Sequence, residues 1–193
     1  MTFYANDHEN PPTPEPWEAQ PVQPVQPEQP VSQGHPLDEA RNWLARFIST
    51  MSERDLDLLA LWAAHTHLAV ETYTSPRLVV DSPVHGAGKT TCLEHIGRLS
   101  LNPVQMASLS SPALLTRMLD AGMRTILIDE ADRSLDPKKD GVEELLAVLN
   151  SGYKRGGTRP VLTPTKDGWA VSEMPTYAPV AMAGNNPLSL IHI

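Results

Sequence analysis

Asp81-Ser-Pro-Val-His-Gly-Ala-Gly-Lys-Thr-Thr91 is the stretch of sequence that decides the fold. It follows the short apolar run Leu78-Val79-Val80 and leads into a segment whose apolar residues recur at helical spacing. A strand, a glycine-containing loop, a Lys-Thr pair and a helix in this order are typical of the phosphate-binding P-loop. The full pattern has a glycine where this chain has Pro83, so the match to it is incomplete.

The residue types of this loop suit a ligand that carries several negative charges. Backbone N–H groups and the positive end of the following helix attract phosphates, and glycines allow the backbone to approach them closely. Lys89 is expected to reach the β- and γ-phosphates, and the Thr90 hydroxyl to bind Mg²⁺. The predicted nucleotide-binding residues are Val84, His85, Gly86, Ala87, Gly88, Lys89, Thr90 and Thr91.

A second apolar run, Thr125-Ile-Leu-Ile128, ends in the acidic pair Asp129-Glu130. This is the Walker B pattern, in which Asp129 would hold Mg²⁺, directly or through water, and Glu130 would polarise the attacking water. A buried strand that merely ends in a solvated acidic loop is the structural alternative. Because the two motifs occur together and in order, we favour an ATP-binding site with Mg²⁺ as its metal.

Composition adds the following limits. A chain of 193 residues has room for one domain and an appendage. The formal charge is −8, but residues 1–36 hold five acidic residues and no Lys or Arg, so a local basic surface remains compatible with the rest. The single cysteine, Cys92, allows no intrachain disulfide and favours a reducing compartment.

No basic-then-apolar leader opens the chain, and 56–70 is too short and too polar to span a membrane. We therefore expect a cytoplasmic protein with no membrane partner.

The chain divides into four predicted parts. Residues 1–36, with nine prolines, are expected to be disordered; 37–76 are a helical lead-in; 77–187 are the P-loop core; and 188–193 are a separate tail. In the lead-in, one helical face is predicted to hold Leu37, Ala40, Trp43, Leu44, Phe47, Ile48 and Met51. A second helix is expected to begin with the capping box of Ser52 and Asp55 and to run towards Tyr73.

The later part of the chain alternates strands and helices, which predicts a three-layer α/β domain with a parallel sheet. Ser111-Pro112 is a helix start, and 142–149 is amphipathic. A basic, glycine-rich segment at 151–159 precedes two short strand-like runs with a turn signal at 166–168 between them, which predicts a hairpin. The last apolar run, 179–183, is expected to be a buried strand.

The sequence resembles AAA+ ATPases, in which the strand after Walker B ends in a polar "sensor 1" residue that helps to place the lytic water. Ala183-Gly-Asn-Asn-Pro187 resembles that strand end, and Asn185 matches the sensor position. The resemblance implies catalytic roles for Lys89, Glu130 and Asn185. It also implies a further strand, an arginine finger and a helical lid after sensor 1, which we expect this chain to lack, so that it is expected to be a weak ATPase on its own.

More narrowly, the chain resembles an ATPase family of phage, plasmid and mobile-element proteins that are often joined to primase-like modules. The matching segments, within residues 40–187, are Ser82-Pro83, Ile128-Asp-Glu-Ala-Asp132, Leu149-Asn-Ser-Gly-Tyr-Lys-Arg-Gly156 and Tyr177-Ala-Pro-Val-Ala-Met-Ala-Gly184. The family tolerates proline at the position of Pro83. The resemblance implies a DNA-replication helicase-type motor that forms a homo-oligomeric ring.

In helicase-type AAA+ proteins, a hairpin before the sensor 1 strand grips DNA in the central pore. The predicted hairpin occupies the matching location. Its expected contacts to DNA, most simply single-stranded DNA, are Lys154, Arg155, Arg159 and Lys166. A solvated basic loop is the alternative, and salt-dependent binding would distinguish the two.

Two enzymatic functions and one non-enzymatic function compete with this interpretation, and of these only the kinase and the scaffold remain open. The letters of Asp129-Glu-Ala-Asp132 spell DEAD, but the Walker spacing is too short for a DEAD-box RNA helicase. A small-molecule P-loop kinase is disfavoured by the acidic pair, since a kinase must keep activated water from the γ-phosphate. A nucleotide-binding scaffold without hydrolysis is the third possibility.

Residues 188–193 match, in one frame, the translation of a transposon end used in sequencing adapters. We expect this tail to be non-native read-through, with a genuine short C-terminus as the alternative.

Overall fold

The computed structural model describes residues 34–84, 86–106, 111–136, 138–166 and 168–185. The predicted disorder of residues 1–33, the role of His85 and the origin of 188–193 lie outside the described residues. In chain order the described elements are α1 (Pro36–Leu44), α2 (Glu53–His67), β1 (Leu78–Asp81), α3 (Lys89–Leu99), β2 (Pro103–Met106), α4 (Pro112–Asp120), β3 (Thr125–Ile128), α5 (Ala131–Ser134), α6 (Val142–Ser151), β4 (Thr158–Thr165), β5 (Gly168–Pro175) and β6 (Val180–Gly184).

The first helix corrects two predictions about the lead-in. Pro36, assigned to the disordered tail, begins α1, because a proline fits the first helical turn, where its missing N–H is not needed. The helix ends at Leu44, and the chain turns at 45–47. Phe47 is therefore half exposed and Met51 is fully exposed, so neither continues the apolar face of α1.

The second helix begins as predicted and ends earlier than predicted. The Ser52 hydroxyl accepts the Arg54 N–H at 3.3 Å, and the Asp55 carboxylate accepts the Ser52 N–H at 3.1 Å. This capping box is confirmed. The helix stops at His67 because the chain beyond it turns to pair Thr74 with Lys154 in an isolated antiparallel bridge.

Four strands form one parallel sheet in the order β1-β6-β3-β2. The two central strands, β3 and β6, are buried at every position, which accounts for their continuous apolar sequences. The last described strand, β6, therefore lies between the strand before the glycine loop and the strand before the acidic pair. This crossover puts the ends of all three strands at one edge of the sheet.

Alternate residues of the central strands contribute to two separate cores. One core joins the apolar faces of α4 and α6 to Ile126, Ile128, Val180 and Met182. The other joins α2 and α3 to Leu127, Ala181 and Ala183. Helices thus cover both faces of the sheet, and the predicted α/β class with a parallel sheet is confirmed.

Strands β4 and β5 form an antiparallel hairpin outside this sheet. Each strand has eight residues and is longer than the sequence predicted. The register pairs Thr165 with Gly168, which places Lys166 in the turn, as expected. One face of the hairpin is apolar and exposed, with Leu162 opposite Val171.

Across the described ranges of the chain, no helix combines the length and the apolar character that crossing a membrane requires.

Candidate functional site

The loop between β1 and α3 depends on two glycines with left-handed backbone. Gly86 has φ 75° and Gly88 has φ 81°, conformations that a residue with a Cβ adopts only with strain. Gly88 is the N-cap of α3, and no side chain caps that helix end. The N–H groups of the first turn have no partner within the helix and carry the positive end of its dipole.

Lys89, the first residue of α3, bends back over the loop. Its ammonium group donates to the carbonyl oxygen of Val84 at 3.3 Å and to Oδ1 of Asn185 at 3.0 Å. The bond to Asn185 joins residues far apart in sequence, and it exists because β6 lies directly beside β1 in the sheet. Two residues that the sequence marked as catalytic are thus in direct contact.

The acidic pair lies at the same edge, at the end of β3. Glu130 has φ 47° and ψ 45°, a left-handed conformation that is uncommon for a residue other than glycine. The Asp129 carboxylate accepts the Glu130 N–H at 2.9 Å, and the Ser134 hydroxyl donates to the Glu130 carbonyl at 2.8 Å. Strain of this kind costs about 1–3 kcal/mol and is concentrated at functional sites.

The side chain of Glu130 pairs with Arg133, one turn further along α5. The guanidinium lies 3.2 Å from one carboxylate oxygen and 3.3 Å from the other. Both side chains are more than half exposed, so this ion pair contributes little stability. The Glu130 carboxylate therefore remains accessible to solvent at the edge of the site.

These residues line one cleft of about 350 Å³. Its predicted members are Gly86, Ala87, Gly88, Lys89, Thr90, Thr91, Asp129, Glu130 and Asn185. Sequence reasoning missed four further lining residues, Asp132, Arg133, Ala183 and Gly184. Val84 is exposed beside the cleft and takes part through its carbonyl oxygen, and His85 lies outside the described residues.

Thr90 and Asp129 provide the donor atoms for the predicted metal. Both residues line this cleft, and a hydroxyl with a carboxylate is an oxygen donor set of the type that Mg²⁺ prefers. Such a site takes most of its remaining ligands from phosphates and water. The donor chemistry of the described residues therefore fits Mg²⁺.

A second, more apolar hollow of about 540 Å³ adjoins the glycine loop and was missed by sequence reasoning. The turn after α1 and the start of α2 contribute Phe47, Ile48, Met51 and Leu58 to it. Gly88 and Lys89 line both the cleft and the hollow, so the two spaces border the same loop. Cys92 also lines it, and burial raises the pKa of its thiol to about 11, which keeps it neutral.

The four basic residues expected to contact DNA are not equivalent. Lys154 lies 5.1 Å from the centre of the Tyr73 ring, and Arg155 donates to the Val70 carbonyl at 2.7 Å. Arg159 forms an ion pair with Glu144 at 2.6 Å. Lys166 lies at the hairpin turn, about 20 Å further along the strand from Arg159. The first three have partners within the protein, and only Lys166 lies at the tip.

The two histidines of α2 contact other parts of the protein. His65 Nε2 lies 3.1 Å from the Ser75 hydroxyl, and burial lowers the pKa of this histidine. His67 Nε2 lies 2.9 Å from the Leu99 carbonyl. Within the ranges that the structure describes, no three His, Cys, Asp or Glu side chains cluster as a metal site would require.

Neither a scan of protein-family models nor a search of curated proteins finds a match to this chain.

Proposed function

We propose that this chain binds ATP with Mg²⁺ at the carboxyl edge of its parallel sheet and hydrolyses it. The observation that carries this proposal is the 3.0 Å hydrogen bond between Lys89 and Asn185, in the cleft that Asp129 also lines. Parallel α/β sheets bind ligands at this edge, where neighbouring strands are connected in different directions. The position of β6 between β1 and β3 is what brings the three side chains together.

The triphosphate would bind to the glycine loop and the N-terminus of α3. Gly86 and Gly88 leave room for close approach of the backbone, and the first-turn N–H groups supply donors. Lys89 would exchange its contact with the Val84 carbonyl for the β- and γ-phosphates. The apolar hollow beside the loop suits the nucleobase, since such bases bind against hydrophobic surfaces.

Thr90 and Asp129 would hold Mg²⁺, which would supply neutralisation of the phosphate charge. The residues of the chain would then act on the water. Glu130 is the acceptor for the proton of the attacking water. The Asn185 amide, on the neighbouring strand, orients that water. The exposed carboxylate of Glu130, beside the cleft, favours hydrolysis over phosphoryl transfer to a small molecule.

A wider proposal is that this ATPase is part of an AAA+-type motor of mobile-element DNA replication, assembled as a homo-oligomeric ring. Its support is the hairpin: Trp169 is 71 % exposed close to the tip, and Lys166 lies in the turn. An exposed aromatic ring can stack on the bases of single-stranded DNA, and lysine can contact its phosphates.

Phosphate release, measured with and without single-stranded DNA, tests the proposal. Glu130→Gln should bind ATP as the wild type does and lose about 10²–10⁴-fold in turnover, because the amide cannot accept the proton. A matched control is Glu143→Gln, which removes an exposed carboxylate from the start of α6. ATP binding without phosphate release by the wild type would favour a scaffold, and release only with a small acceptor would favour a kinase.

A further inference from the structure

Asp132 is a cleft residue that the nucleotide roles described so far do not use. It lies in α5, two residues after Glu130, and is partly buried. Its carboxylate oxygen Oδ1 accepts the backbone N–H of Asn185 at 3.1 Å. The contact joins the helix after the acidic pair to the end of the neighbouring strand β6.

The backbone of β6 is shaped for this contact. A Cβ built on Gly184 would lie 2.7 Å from Asp132 Oδ1 and 3.0 Å from the Asp132 nitrogen. Real Cβ atoms are essentially never found closer than 3.0 Å to such atoms, so a side chain at Gly184 would displace the Asp132 carboxylate and crowd the start of α5. Glycine at this position therefore leaves room for the Asp132 carboxylate beside the end of β6.

The contact extends to the phosphate loop through a single residue. Asn185 donates its backbone N–H to the Asp132 carboxylate, and its side-chain oxygen accepts a hydrogen bond from the Lys89 ammonium at 3.0 Å. Moving the Asn185 backbone would move its amide relative to Lys89. Asp132 is thus placed to set the position of the amide without touching Lys89.

We propose that Asp132 is a positioning residue, whose carboxylate fixes the Asn185 backbone so that the Asn185 amide faces Lys89 and the reacting phosphate. The expected effect on turnover rests on the proposed ATPase function. The positioning of Asn185 by Asp132 is independent of that function. Since an acceptor oxygen is what the Asn185 N–H needs, Asp132→Asn should preserve the role and Asp132→Ala should abolish it.

The first test measures positioning without nucleotide. Amide hydrogen exchange at Asn185, followed by NMR on the full chain, should be about tenfold faster in Asp132→Ala and near the wild-type rate in Asp132→Asn. Asp120→Ala, at the exposed end of α4, is the matched control and should leave Asn185 unchanged. Gly184→Ala is a second variant and should also accelerate exchange at Asn185. Unchanged exchange in both Asp132→Ala and Gly184→Ala would overturn the proposal.

The second test separates positioning from binding. Asp132→Ala should lower kcat for ATP by about 10–100-fold, as misplaced catalytic groups do, while the Kd for ATP stays within about threefold. Asp132→Asn should restore most of the turnover. If Asp132→Asn is as slow as Asp132→Ala, the charge of Asp132 matters, as it would for a metal ligand, and the proposal is wrong. A wild type that neither binds nor hydrolyses ATP would refute the ATPase function, while the exchange measurement would still decide the role of Asp132.

Discussion

Replacing Arg77 should destabilise the fold by removing a partly buried link between α6 and the segment before β6. Arg77 precedes β1, and its guanidinium donates to the Ala178 carbonyl at 2.8 Å and to the Leu149 carbonyl. Leu149 belongs to the last turn of α6, where its carbonyl also accepts the Gly152 N–H at 3.2 Å and where a cation is favoured by the helix dipole. Burial lowers the pKa of Arg77 to about 10, so the side chain is still protonated at neutral pH.

The magnitude follows from these two hydrogen bonds. Each bond from a charged donor contributes about 1.5–3 kcal/mol, and the cost of burying the charge offsets part of the sum. Arg77→Met keeps most of the apolar stem and removes the charged donor from both carbonyls, although the Leu149 carbonyl still accepts the Gly152 N–H, so we expect a loss of about 2–4 kcal/mol in the free energy of unfolding. Arg77→Lys keeps a charge without the planar fork and should lose about half as much.

Urea unfolding followed by far-ultraviolet circular dichroism measures this free energy. Arg98→Met, which removes an exposed arginine from α3, is the control and should change stability by less than about 0.5 kcal/mol. Equal stability of Arg77→Met and Arg98→Met would refute the role given to the partly buried guanidinium.

Two further predictions concern the surfaces around the site. Leu58→Asp, in the hollow, should weaken ATP binding about tenfold but leave inorganic triphosphate binding unchanged, because only ATP carries a base. Leu61→Asp, equally exposed on α2 but outside the hollow, is the control. If Leu58→Asp weakens the binding of both ligands equally, the hollow is not the site of the base. Lys166→Ala combined with Trp169→Ala should weaken single-stranded DNA binding and reduce the salt slope by about 0.7 for the lost phosphate contact. Lys138→Ala is the control and should change neither the DNA affinity nor the salt slope. If the double variant binds DNA as the wild type does, the hairpin has only a structural role.

Local patterns predicted the elements that carry the site. The glycine loop, the acidic strand end and the capping box of α2 are set by residues close together in sequence, and each was found where expected. Apolar runs at 125–128 and 179–183 also predicted buried strands, because both faces of a covered parallel sheet are apolar.

Contacts between distant segments could not be predicted in this way. The periodicity of α1 continues past Leu44, but the chain turns there, and Phe47 and Met51 instead line the hollow beside the loop. Lys154 and Arg155 have the composition of a basic loop, although the structure uses them to dock that loop on residues 70–74. Their partners are some 80 residues away in sequence, and no local spacing marks them.

Binding of Mg²⁺-ATP to the wild type and to Lys89→Ala, measured by isothermal titration calorimetry, tests the central claim most directly. Lys89 is the positive side chain that closes the glycine loop and contacts Asn185, so its loss should abolish measurable binding. Lys166→Ala, which removes a lysine from the hairpin turn, should bind ATP with wild-type affinity. Equal ATP affinity in the wild type and Lys89→Ala would contradict the assignment of this cleft as the nucleotide site.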